Sequence, residues 1–262
     1  EKFADHYTQA ELFWNSQTAT EKAHIVKAFR FELTRVQVPA IRERVVAQLR
    51  NVSDELAQGV ADGLGLPLPE PLPVARPKVA QPEVASSPAL SLMARPGTAG
   101  VRGRRVAILV ADGVDGEALL RLHAALAAEG AVPRLVGMRL GAVQSSRGAA
   151  LPVEATMETM PCVLFDALVV PGGEDAVALL AQDAHAIDFV KDQYRHCKPL
   201  LLIGAGARLL ELANVPPALP DGAEDPGVLR IADGEVAAAT PRFVEAIARH
   251  RHFERETDPP AA

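Results

Sequence analysis

The sequence predicts an α/β fold preceded by a short all-α segment, and three observations predict it. From Arg105 onward, short apolar β-rich runs alternate with helical stretches, the pattern of a parallel sheet with helices on both faces. Before Leu64, apolar residues recur at helical spacing with no strand-like run between them. Between these parts, eight prolines lie from Pro67 to Pro96, a density that blocks helix and sheet alike. The expected boundaries are 1–63 for the helical segment, 64–103 for a proline-rich linker and 104–262 for a flavodoxin-like, doubly wound domain.

In the first segment, Thr18-Ala-Thr-Glu21 has the spacing of a capping box, and Ile25, Phe29 and Leu33 then mark one buried face. Val38-Pro39 breaks that helix and starts the next, whose stripe is Ile41, Val45 and Leu49. Ser53-Asp54-Glu55 opens a third, which fades at Gly63 and Gly65. Six of the eleven aromatic residues fall here: Phe3, Tyr7, Phe13, Trp14, Phe29 and Phe31. Three helices in about 60 residues bury too little surface to enclose them. The segment is therefore expected to dock on a larger body, with Phe3, Tyr7, Phe13 and Trp14 covered only by another chain or left exposed. The linker is expected to be semi-rigid near Pro67–Pro73 and looser through Ser86–Ser91, a spacer laid over a surface rather than an SH3-type ligand.

In the third segment, strands are expected at Arg105–Ala111, Val132–Val136, Asp166–Pro171, Leu200–Ile203 and Val228–Ile231. Helices are expected at Asp115–Gly130, Ala176–Ala181, Ala184–His196, from Gly206 to near Ala213, and at Thr240–His250. Residues 140–160 read as a hairpin or an irregular insertion.

Composition excludes several classes. The net charge of −6 over 262 residues, −8 of it in 105–262, leaves no basic field for nucleic acid or an anionic membrane. No apolar run approaches the ~18 residues that a membrane helix needs. Two cysteines exclude a disulfide framework and suit a reducing, cytoplasmic interior. The absence of an initiator Met points to a processed chain or a piece of a longer one.

Ligands of open α/β sheets bind beyond the carboxyl ends of the strands, here Ala111–Gly116, Pro171–Asp175 and Gly204–Ala207. The order of elements and the string Leu168-Val-Val-Pro-Gly-Gly-Glu174 resemble the DJ-1/PfpI branch of the class I glutamine amidotransferase-like superfamily. That resemblance implies a cysteine nucleophile, followed by histidine, in the elbow after Leu200–Ile203, with an acid from the first strand's loop nearby. The matching positions hold Gly204 for the cysteine and Ala205 for the histidine, and Asp115 lies where the acid would be. Without a nucleophile the covalent mechanism fails. These positions are degenerate, and no catalytic, cofactor-binding or metal residue is expected in the chain. Cys162 and Cys197 precede their strands, at the wrong end of the sheet to substitute. Gly204-Ala-Gly206 lacks the third glycine of a dinucleotide fingerprint. His250-x-His252 beside Glu254 reads as a solvated helix end rather than a metal site, and His6, His24 and His123 as ordinary.

Residues 1–50 carry a second resemblance. Asp5-His-Tyr7, Gln9-Ala10, Leu12-Phe-Trp14, His24-Ile25 through Phe29-Arg-Phe-Glu-Leu33 and Arg42-Glu-Arg-Val-Val46 are similar to the C-terminal helical region of haem catalases. Large-subunit catalases, the hydroperoxidase II-like group, carry after it a proline-rich linker and a DJ-1-related domain, so the resemblance spans the whole chain. It implies a parent enzyme, a homotetramer, that disproportionates hydrogen peroxide on haem. It also implies that the catalytic β-barrel, with its distal histidine and asparagine and the iron-ligating tyrosine, lies upstream of Glu1. The chain itself is then expected to bind no haem and to support subunit stability and assembly. An independent DJ-1/PfpI-type hydrolase and a chaperone-like binding module are the alternatives.

Overall fold

The computed structural model describes residues 4–78, 82–94 and 100–262, and the chain divides into two compact units, Glu1–Thr98 and Ala99–Ala262. The first is built on α1 (Thr8–Asn15), α2 (Ala19–Thr34), α3 (Pro39–Leu49) and α4 (Asp54–Leu64). The capping box of α2 forms in full: Glu21 N–H donates to the Thr18 hydroxyl at 3.3 Å, and Thr18 N–H donates to the Glu21 carboxylate at 2.9 Å. The Ser53 hydroxyl caps α4, which stops at Gly65, left-handed at φ +65°. Helix α1 has no counterpart among the expected elements, because its 8 residues give barely two turns of periodicity to read.

That extra helix corrects the expectation for Trp14. The indole is only 3% exposed, packed with Leu33, Val46 and Leu56 in the unit's own core, and the Lys22 ammonium lies 4.8 Å over the ring. Leu66 and Leu68, from the proline-rich stretch, thicken the same core. Phe13 and Phe31 remain exposed, at 47% and 57%. Tyr7 and Phe29 are half-buried, and Phe3 lies outside the described residues.

The proline-rich stretch is bonded to these helices at several places. Arg50 donates to the Pro69 carbonyl and Asn51 to the Leu72 carbonyl, each at 2.9 Å. Further on, the part expected to be looser is held by α2: Ser91 is fully buried, its hydroxyl donates to Glu21 at 2.7 Å, and Leu92 N–H donates to the same carboxylate at 2.8 Å. Burial pushes the Glu21 carboxyl up, but the bonds from Thr18, Ser91 and Met93 outweigh it and hold the pKa down to about 2. One side chain thus caps a helix and clasps the strand of chain that crosses it.

The second unit runs β1 (Arg105–Val110), α5 (Gly116–Ala128), β2 (Val132–Gly137), β3 (Gly141–Gln144), β4 (Ala150–Val153), β5 (Ala155–Thr156), β6 (Ala167–Val170), α6 (Glu174–Leu180), α7 (Ala184–Arg195), β7 (Leu200–Ile203), α8 (Arg208–Leu212), β8 (Val228–Ile231) and α9 (Val236–Arg249). Strands β5-β2-β1-β6-β7-β8 form one sheet, parallel at every pairing, and β3 and β4 form a separate antiparallel hairpin. Every residue of β6 and β7 is buried, as expected of strands covered on both faces. The chain steps from β1 to β2 in one direction and from β6 to β8 in the other. Right-handed crossovers therefore put α5 on one face and α6–α8 on the opposite one. Helix α9 packs beside α5 and begins at Val236, ahead of the expected Thr240, with Pro241 inside it. The core is leucine, valine and alanine with few rings, among them Phe165, Phe189 and Phe243.

Candidate functional site

The reversal of strand order places the crevice expected of such a sheet between the carboxyl ends of β1 and β6. Here it is closed by main chain. Asp115 N–H donates to the Gly172 carbonyl at 3.0 Å. Gly173, at φ +115°, sits so close to the β1 loop that a Cβ on it would lie 3.0 Å from Val114 Cα. The Asp115 carboxylate accepts from Ala118 N–H at 3.2 Å and caps α5, so it is engaged with its own helix.

Past β7 the chain turns sharply, with Gly204 at φ +50°. The three atoms nearest to a Cβ added there all belong to Asp233, the carboxyl carbon at 2.6 Å. The space of a nucleophile is filled by a carboxylate. Ala205 is half-buried against the core, and Gly206 admits the Val170 carbonyl, which a Cβ would meet at 2.7 Å. The structure thus brings Gly204 and Asp233 together and leaves Asp115 occupied elsewhere. Sequence reasoning missed Asp233 because Ala-Asp-Gly reads as a turn. No local pattern signals it: only the pairing Ile203↔Ile231 carries the residues after β8 alongside those after β7. No thiol, hydroxyl or imidazole replaces the nucleophile at position 204 or 205, so the elbow offers only a carboxylate.

The thiols lie at the opposite end of the sheet. Burial pushes Cys162 up to about 11 and Cys197 up to about 12, so both stay protonated and unreactive at neutral pH. Buried Lys198 donates to the Cys162 carbonyl at 2.9 Å. At this same end the expectation of a solvated helix terminus is corrected. His250 is half-exposed, but His252 is 1% exposed and Arg255 3%. The chain doubles back after α9, and His252 N–H donates to the Cys197 carbonyl at 2.7 Å. Arg255 pairs with Asp225 at 2.9 Å, donates to the Lys198 carbonyl at 2.9 Å and stacks 4.7 Å over Tyr194. Among the described residues no three His, Cys, Asp or Glu side chains gather as a metal site, and no helix is long and apolar enough to cross a membrane.

Residues 1–64 match the family described as catalase-related immune-responsive, and residues 102–257 match the C-terminal domain found in long catalases. The chain is 41% identical to catalase HPII of Pseudomonas putida over 257 residues, covering 98% of this chain and 34% of that protein. It is 39% identical to catalase HPII of Mycobacterium avium, covering 98% and 36%, and 37% identical to that of Pseudomonas aeruginosa, covering 98% and 34%. The chain spans about a third of the length of the curated relatives it matches. It belongs to the long catalases, as their C-terminal domain with the helical region that precedes it.

Proposed function

We propose that this chain is the non-catalytic C-terminal region of a haem catalase that disproportionates hydrogen peroxide, and that it supports the stability and assembly of the subunit. The observation that carries the reading is the elbow: a turn built like a nucleophile site, with Gly204 in the nucleophile's place and Asp233 in its space. The parallel order with β1 between β2 and β6 supports a flavodoxin-like, DJ-1/PfpI-related fold for residues 104–262, after a helical segment at 1–63 and a linker at 64–103. Nothing favours an independent hydrolase.

The haem belongs to the part of the protein outside this chain. Residues here do not fit it: Tyr194 is 4% exposed with Arg255 over its ring, and Tyr7 leads into α1. The chain's partners are the catalytic β-barrel domain and the neighbouring subunits of a homotetramer. The exposed Phe13, Phe31, Val38 and Ile41 supply apolar surface for such contacts. The two buried free thiols suit the reducing cytoplasm. The purified chain, supplied with haem, is expected to show neither a Soret band nor peroxide turnover. Turnover accompanied by a Soret band would overturn the reading.

A further inference from the structure

We propose that the chain's C-terminal segment, residues 250–262, is a latch on the amino-terminal end of the sheet that stays closed while His252 is neutral and opens in acid. The segment folds back from α9 onto the turn between α7 and β7. His252 is its pivot: 1% exposed, its main chain bonded to Cys197 and its Nε2 bonded to the Ala246 carbonyl at 3.2 Å. A carbonyl only accepts, so Nε2 carries the proton and Nδ1 is the bare acceptor of a neutral ring. Nδ1 is buried with no hydrogen-bond partner, so a second proton placed there would have no acceptor to receive it.

The surrounding charges are set against that second proton. Arg255 of the same segment and Arg249 of α9 both face the ring. The acid on the other side, Asp225 in the turn before β8, takes Arg255 at 2.9 Å and Gly227 N–H at 2.8 Å, both on Oδ1, while its Oδ2 is buried without a partner and makes no bond to the ring. Arg249 is itself paired with Glu254. Arg242 and Glu245, also on α9 and of opposite charge, line the groove beside His252. From the α7–β7 turn, the Cys197 thiol faces Glu256 of the latch at 3.8 Å. Burial first, then Arg255, lowers the His252 pKa from 6.5 to about 4.

The direction of the pH effect follows. A released segment takes up the proton near pH 6.5, whereas the closed latch refuses it until about 4. Closure is therefore independent of pH above 6.5, weakens by about tenfold per pH unit below it, and levels off near pH 4. Opening removes the Glu256 and His252 contacts that cover Cys197, which is 1% exposed in the closed form. This reading does not depend on the catalase activity proposed above.

The test is the rate at which 4,4′-dithiodipyridine, which reacts with thiols in acid, labels Cys197 in the full-length protein. Labelling is followed by mass spectrometry from pH 7.5 to 4.5 and normalised to a free thiol at each pH. The expected result is a rate flat above pH 6.5 and rising about tenfold per unit below it. In His252→Gln the rise should vanish, while in His250→Gln, which removes the half-exposed histidine facing Asp166 at 3.3 Å, it should persist. A flat rate in the unsubstituted protein, or an equal rise in His252→Gln, overturns the proposal. Should that variant fail to fold, hydrogen exchange in the unsubstituted protein decides: protection lost first at 252–256 supports the latch, and simultaneous loss across β7 contradicts it.

Discussion

Arg255→Ala is expected to destabilise the second unit by about 3–5 kcal/mol, the range for breaking a buried ion pair by removing one partner. The Arg255 side chain is 1% exposed and its partner Asp225 7%, so almost no water can replace the lost guanidinium. The substitution strands the Asp225 carboxylate in the interior, leaves the Lys198 carbonyl without its donor and uncovers the face of Tyr194. The pair itself contributes less than this figure, because both ions were desolvated to form it. Replacing both residues, Arg255→Met with Asp225→Leu, should therefore cost less than Arg255→Ala alone. Chemical denaturation of the parent and the two variants checks this. A double variant as unstable as the single one would show that the loss is packing rather than uncompensated charge.

Restoring a cysteine at the elbow is the second large effect. Gly204→Cys should destabilise the unit by roughly 2 kcal/mol or more, from two separate causes. The new Cβ must accept φ +50°, and it must displace the Asp233 carboxylate, whose carbon lies 2.6 Å from its position. Adding Asp233→Ala removes the second cause and not the first, so the double variant should recover only part of the loss. Neither variant should gain hydrolase activity, because Ala205 supplies no base beside the thiol. Melting temperatures and assays on model esters test both statements. Gly204→Cys as stable as the parent would mean that Asp233 moves away freely and does not fill the elbow.

These sites also show what could be read from sequence. Thr18 and Glu21, and Leu200–Ile203, were legible because their signals are local: a cap is written within four residues, and a doubly covered strand in one apolar run. The degenerate elbow was legible by position, since Gly204 follows β7 directly. Three features were not. Trp14 is buried by residues such as Val46 and Leu56, far along the chain from it. Asp233 reaches Gly204 only through the pairing of β7 with β8. His252 and Arg255 look like a charged, solvated terminus, and only the return of the chain onto Cys197, Lys198 and Tyr194 encloses them. Each depends on which elements lie side by side, which no local pattern states.

The central claim is that the α/β unit stabilises and assembles a catalase without taking part in its chemistry. The most direct measurement compares the full-length enzyme with a truncation ending ahead of Gly100, which removes the α/β unit and leaves the helices. Turnover per haem, melting temperature and tetramer content are read on both. The account predicts unchanged turnover per haem with a lower melting temperature and fewer tetramers. Equal stability and equal tetramer content, or lost turnover in a tetramer that still holds its haem, would contradict it.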